Sequence, residues 1–364
     1  MVRYTLHLLS LPHAKITKDF VHCAFTQKIL NMSKMVSEQM PEFDLITYGT
    51  VGGQPYKFVE TFSQEDFDRI YPTDHHTNFF DSTNEEGWKL YQKNTIEAIN
   101  KNRTKDIILI SYRAHEPIAA ATIPAIEMGI GYPASMKRRH RVFESYAQMY
   151  YHYGMENNKV PSQYDVVIPN YFDTSDFSVR EKEDYFLFVG RSSWDKRILI
   201  DLALKMNIKI KFAGQPEIIN KTIKDKAEHL CEHIGWLNQD NKSHWMARAV
   251  FVPTLYVEPF AGVQIEALLC GTPIITSDNV FHETNVHLTY RCRTFSDYIW
   301  AVENIDKISA YNCKRYAIKN YSLERVGEMY KQYYTKIVDL LEKWYSTDYH
   351  NDSDILYQKD LPSN

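Results

Sequence analysis

The chain has 364 residues, with 42 Lys plus Arg against 46 Asp plus Glu, a formal net charge of −4. That length exceeds what one hydrophobic core usually serves and predicts two domains, while the near-neutral balance excludes a global electrostatic drive toward nucleic acid or anionic membrane. Cys23, Cys231, Cys270, Cys292 and Cys313 are odd in number, widely separated and without paired metal-ligand spacing, which predicts reduced intracellular thiols rather than a disulfide frame. No apolar run approaches the roughly 18 to 20 residues of a membrane span.

Tyr4 to Leu9 reads as a first strand rather than a signal peptide. It leads into the polar loop Ser10 to Lys18, where His13 and Lys15 are candidates for an anionic ligand. A helix is predicted over Phe25 to Met40, a strand over Asp44 to Tyr48, and a central buried strand over Asp106 to Ser111. Residues 54 to 85, rich in Tyr, Phe, His and Asp, match no regular period and read as an insertion. His75-His76 lacks further ligands at metal-binding intervals. Glu127, Gly129 and Gly131 read as a helix-to-strand turn, and Lys137-Arg138-Arg139-His140-Arg141 is the densest positive cluster. Beside Tyr132, Phe143, Tyr146, Tyr150 and Tyr151, that cluster is either a solvated helix face or a seat for an anionic acceptor. Tyr164 to Phe177 runs through Pro169-Asn170-Tyr171 into a polar segment over Ser178 to Asp184 that would serve as a linker.

The second half carries sharper signals. Tyr185 to Val189 is an apolar strand followed by Gly190-Arg191-Ser192-Ser193-Trp194-Asp195-Lys196-Arg197 and a helical run to Met206. Arg191 and Lys196 place a planar fork and a point charge on one strand-to-helix turn, the combination a diphosphate needs. Ile208 to Gly214 alternates apolar and basic residues as a half-exposed or edge strand would. Ala249 to Val252 reads as a buried parallel strand, Glu258 falls in the loop after it, and Gly262 opens a helix. That helix closes at Gly271 before the strand Ile274 to Thr276. Glu266 lies one turn inside it, and the amides of Ala261, Gly262 and Val263 form a natural anion seat at its start. A final amphipathic helix is predicted from Leu323 to Trp344, with a tail from Ser346.

Glu258, seven intervening residues and Glu266, with Pro259-Phe260 after the first, resemble the paired-glutamate signature of retaining glycosyltransferases of family 4 and their GT-B relatives. Gly190-Arg191 and Lys196, some sixty residues earlier, resemble that family's diphosphate grip. The order of the two motifs matches. Ala261 stands where the family often has Gly, Arg197 where a Gly commonly follows the Lys, and Tyr171 in place of Gly in the Pro-Asn-Gly exit. The opening residues and Arg141 to Ala147 are similar to a branch frequent in phages and bacteria.

The resemblance implies an α/β chain of two Rossmann-like domains facing a cleft, residues 1–177 on the acceptor side, 178–345 binding the nucleotide sugar and 346–364 as tail, with the last helix returning to the first domain. It implies that Glu266 holds the ribose and Glu258 the donor sugar, that His115 touches that sugar, and that Gly190, Gly214 and Trp236 line the nucleotide. Arg191 and Lys196, with the amides of Gly262 and Val263, would neutralise the departing diphosphate. The expected donor is a UDP-sugar, with no metal or other cofactor required. The acceptor is a glycan or a hydroxymethylated base in phage DNA, and the location cytoplasmic. A nucleotide-sugar epimerase of the same fold and a non-catalytic binding module are the alternatives.

Overall fold

The computed structural model describes residues 3–20, 23–50, 56–71, 85–103, 105–110, 113–119, 124–130, 138, 140–156, 162–191, 196–215, 219–235, 237, 247–255, 258, 260–278 and 287–344. Two compact units divide the chain: Met1–Pro169 together with Val326–Asn364, and Asn170–Arg325.

In the first unit, strands β1 (Tyr4–Leu9), β2 (Phe43–Thr50), β3 (Phe58–Phe62), β4 (Lys105–Ile110), β5 (Ala125–Ile130), β6 (His140–Phe143) and β7 (Val166–Val167) form one sheet in the order β3-β2-β1-β4-β5-β6-β7. Every pairing is parallel. Each residue of β1 is buried, as both faces of a parallel sheet require when helices cover them. Those helices are α1 (Ala24–Gln39), α2 (Gln64–Ile70), α3 (Glu85–Lys101), α4 (Glu116–Ala119) and α5 (Tyr146–Met155). Ser63 and Ser145 cap α2 and α5 by accepting hydrogen bonds from the Asp66 and Gln148 amides.

Three expectations for this unit are corrected. Part of the supposed insertion, residues 58–70, is β3 and α2, too short for either period to stand out against its aromatic composition. Glu127 and Gly129 lie within β5 rather than on a turn, with Glu127 buried and Gly129 at a positive φ of 62° beside a register irregularity. The basic cluster is not a helix face. His140 and Arg141 belong to β6, and the Arg141 guanidinium is buried, bonded to Asp165 at 2.7 Å and Glu156 at 2.9 Å and stacked over Phe143 and Tyr153. Arg138 is buried as well, so neither offers its charge to solvent. Lys137, Arg139, Gly131 and the His75-His76 pair lie outside the described residues.

The second unit repeats the plan. Strands β8 (Phe186–Arg191), β9 (Ile210–Gln215), β10 (Cys231–Gly235), β11 (Val250–Val252), β12 (Ile274–Ser277) and β13 (Thr289–Cys292) run parallel in the order β10-β9-β8-β11-β12-β13. The helices are α6 (Arg197–Met206), α7 (Ile219–Lys226), α8 (Gly262–Leu269), α9 (Phe295–Asn304) and α10 (Ala310–Tyr321). β9 is an interior strand, not the edge its Lys residues suggested. The Lys211 ammonium lies 4.0 Å from the centre of the Tyr185 ring, so a long apolar stem covers the sheet while the charge stays at its margin.

Helix α11 (Leu323–Trp344) has the predicted bounds and, from Val326, belongs to the first unit. Tyr334 lies against Met128 and Met32, Tyr333 donates to the Tyr164 carbonyl at 2.8 Å, and Lys331 pairs with Glu42. Residues 170–177, expected in the first domain, are part of the second. The Phe172 amide donates to the Tyr321 carbonyl, the Leu323 amide to the Phe172 carbonyl, and the Phe172 ring stacks on Phe260. Among the described residues, no helix is long and apolar enough to cross a membrane.

Candidate functional site

In the second unit the strand order reverses between β8 and β11, which are hydrogen-bonded neighbours although two strand-helix units separate them in sequence. Their following helices leave on opposite faces. Phe186 and Phe188 share one core with Leu199, Ile200, Leu202 and Ala203 of α6, whereas Leu187, Val250 and Val252 share another with Ile265, Ala267, Leu268 and Leu269 of α8. A crevice at the carboxyl ends of such a strand pair is where open parallel sheets bind ligands.

Glycines stand at the carboxyl ends of the strands on one side of that reversal. β8, β9 and β10 end at or beside Gly190, Gly214 and Gly235, with φ of 149°, 112° and 76°, a region that side chains other than hydrogen rarely adopt. Gly190 and Gly214 are direct register partners, and a β-carbon on Gly214 would lie 2.2 Å from the Gly190 carbonyl oxygen. The His233 ring locks the pair from β10. A carbonyl only accepts, so its Nε2 carries the proton and donates to the Gly214 oxygen at 2.8 Å.

Arg191 is the last residue of β8, in register with Gln215; its side chain lies outside the described residues, as do Ser192 to Asp195. Lys196 sits at the N-cap of α6, only 4% exposed, with its ammonium 5.5 Å from the centre of the Phe188 ring. Across the crevice, Ala261 caps α8 without a side-chain hydrogen bond. The Gly262 and Val263 amides belong to the first helical turn and have no acceptor within the helix. Glu258 is half-buried in the loop after β11, and Glu266 is buried one turn inside α8. Gly271, at a φ of 70°, ends the helix as predicted.

The linker takes part in this architecture. Lys182 donates to the Gly271 carbonyl and the Thr272 hydroxyl, both at 2.8 Å, placing a cation at the negative end of α8. Burial holds its ammonium down at about 8. The sequence did not single out Lys182, His233 or Gln264. For Gln264 a signal existed: it is one of only two polar side chains in the helix Gly-Val-Gln-Ile-Glu-Ala-Leu-Leu. For His233 none did, because strand alternation says nothing about a ring that reaches a neighbouring strand's carbonyl.

His115 belongs to the first unit. It lies at that sheet's own reversal, between β1 and β4, fully buried among Phe25, Trp88 and Tyr91. Its Nε2 donates to the Ser10 carbonyl at 2.7 Å, tying the segment after β4 to the segment after β1. Burial lowers its pKa to about 4, with His13 adding a smaller push, so the ring is neutral near pH 7. Trp236 lies outside the described residues.

Residues 172–290, the span from Phe172 through the crevice to β13, match the family model described as glycosyl transferases group 1. That span is similar to a group 1 glycosyltransferase domain. An uncharacterized glycosyltransferase of Methanocaldococcus jannaschii is 27% identical over 165 residues, covering 39% of this chain and 40% of that protein. The chain thus spans well under half of that relative in the matched region. Among solved structures, a sucrose-phosphate synthase from Thermosynechococcus elongatus superposes with a TM-score of 0.67 at 13% identity, covering 92% of this chain and 99% of the other. AviGT4, a glycosyltransferase involved in avilamycin A biosynthesis, gives 0.64 at 17% identity over 92% and 98%. HepE from Anabaena, solved with UDP and glucose, gives 0.61 at 13% identity over 92% and 100%. At these identities the likeness establishes the fold, which is that of GT-B glycosyltransferases: two parallel-sheet α/β units.

Proposed function

We propose that this protein transfers a glycosyl group from a nucleoside diphosphate sugar, a UDP-sugar, to an acceptor hydroxyl with retention at the anomeric carbon. The observation that carries the proposal is the crevice between β8 and β11. Gly190 and Gly214 stand at the ends of β8 and β9 with Lys196 on that side of the sheet reversal, and β11 on the other side leads to Glu258, the helix start at Gly262 and Glu266. A flat nucleotide needs backbone it can approach closely, a diphosphate needs donors and positive charge, and ribose and sugar hydroxyls need fixed acceptors. The glycines, the Gly262 and Val263 amides, Lys196, Glu258 and Glu266 are residue types suited to these needs. That HepE was solved with UDP and with UDP-glucose supports the choice of donor.

In this reading the Gly262 and Val263 amides, with Arg191 and Lys196, neutralise the charge that grows on the departing diphosphate, and one such positioned donor is worth roughly 3 kcal/mol of barrier. Glu266 holds the ribose and Glu258 the sugar hydroxyls, so both orient the donor rather than transfer protons. The acceptor we propose is a glycan. A DNA acceptor would need exposed cations, and burial of Arg138 and Arg141 removes two that the sequence had suggested.

Incubation with labelled UDP-sugars, with and without glycan acceptors, tests the proposal. Acceptor-dependent UDP release is expected from the wild type, and Arg191→Ala or Lys196→Ala should depress it strongly while leaving the circular dichroism spectrum unchanged. Wild-type turnover in both variants refutes the assignment. Release of an altered donor without acceptor would instead indicate an epimerase.

A further inference from the structure

Helix α8 buries a polar side chain that the described function does not use. Gln264 is 0% exposed, and among the described residues neither its Nε2 nor its Oε1 has a hydrogen-bond partner. Buried amides are nearly always bonded, because a donor and an acceptor taken out of water without replacement keep the whole desolvation penalty. A sequence that tolerates this inside an otherwise well-packed helix has a use for the group in another state.

Its position indicates the use. With Ala261 at the N-cap, Gly262, Val263 and Gln264 are the first three residues of α8. The third is where Gln or Glu reaches back to the N-cap amide in a capping box, yet Ala261 supplies no side-chain oxygen and Gln264 makes no return bond. Side chains on a helix lean toward its amino end, so a residue at this third position covers the turn that presents the Gly262 and Val263 N–H groups. To donate at that anion seat, Nε2 would have to turn about its staggered χ angles. The residue type fits that task. Glu here would complete the capping role and repel a diphosphate, whereas Gln adds a neutral N–H donor.

We infer that Gln264 is a donor-binding residue whose amide is unsatisfied in the free protein and donates through Nε2 to a diphosphate oxygen when the nucleotide sugar binds. This rests on the nucleoside diphosphate reading of the crevice.

The test compares wild type, Gln264→Leu and Gln264→Glu by thermal melting without ligand and by calorimetric titration with UDP-glucose and with uridine. Leu has similar volume and no polar atoms, so Gln264→Leu should melt no lower than wild type, bind UDP-glucose about tenfold more weakly and bind uridine unchanged. Gln264→Glu should lose more UDP-glucose affinity than the Leu variant. A Gln264→Leu protein that melts below wild type has lost a partner already present in the free chain, which overturns the inference. So does unchanged UDP-glucose affinity, or an equal loss for uridine and UDP-glucose. A wild type that binds UDP-glucose no better than uridine overturns the diphosphate reading itself, a failure visible before any variant is made.

Discussion

His115 yields a prediction that separates a locking role from a reactive one. Its pKa falls from 6.5 in an unfolded chain to about 4 in the folded protein, chiefly because burial penalises the imidazolium. Below the unfolded value the denatured chain takes up a proton that the folded chain refuses, so the stabilisation is fully present above pH 6.5 and is lost as pH falls toward 4. Over that window the slope approaches about 1.4 kcal/mol per pH unit, and between pH 7 and about pH 4.5 the loss amounts to roughly 2 kcal/mol. Carboxylates titrate in the same range, so the readout is a difference. Urea unfolding of wild type and His115→Gln across this range should show the wild type losing about 2 kcal/mol more, since Gln keeps an N–H for the Ser10 carbonyl but does not titrate. An NMR titration of the His115 ring should place its midpoint near 4. Equal pH slopes in the two proteins, or a midpoint near 6.5, would show that the ring is solvated and free to contact a ligand, and the locking role would be wrong.

Two further outcomes follow from geometry. Gly214→Ala puts a β-carbon 2.2 Å from the Gly190 carbonyl oxygen at a φ of 112°, so about 1 to 3 kcal/mol of backbone strain adds to a contact that rigid backbone cannot relieve. Reduced melting temperature and loss of UDP-glucose binding in calorimetry are expected; a variant that binds and melts as wild type does would remove Gly214 from the candidate site. Arg141→Met leaves Asp165 and Glu156 buried without their cation, which should cost about 3 to 5 kcal/mol in urea unfolding, and Arg141→Met combined with Asp165→Leu and Glu156→Gln should recover much of it. A loss below about 1 kcal/mol would mean that the pair is solvated.

The legible parts of this chain are those whose neighbours in space are neighbours in sequence. Tyr4 to Leu9, the helix Leu323 to Trp344 and the run from Gly262 to Gly271 show their identity through periodicity and end signals, and all three stand where the sequence puts them. The residues that were misread depend on partners far along the chain. Arg141 looks like part of a surface patch until Glu156 and Asp165 close around it, and Lys211 marks an edge until β10 is seen to pair beyond it. Phe172 belongs to the second unit because Tyr321 and Leu323 hold its backbone from the far end of that unit.

By itself, the amino-acid sequence determined the alternation of strands and helices, the two-domain plan and the acidic and basic motifs, because hydrophobic period, capping and spacing act over a few turns of chain. Only the tertiary structure decided that β8 lies beside β11, that Gly190 meets Gly214, that His115 is sealed and that Gln264 is buried without a partner among the described residues. Those facts arise from the folding of separate strand-helix units onto one sheet, where the order of strands and the faces taken by helices determine which side chains lose water and which meet.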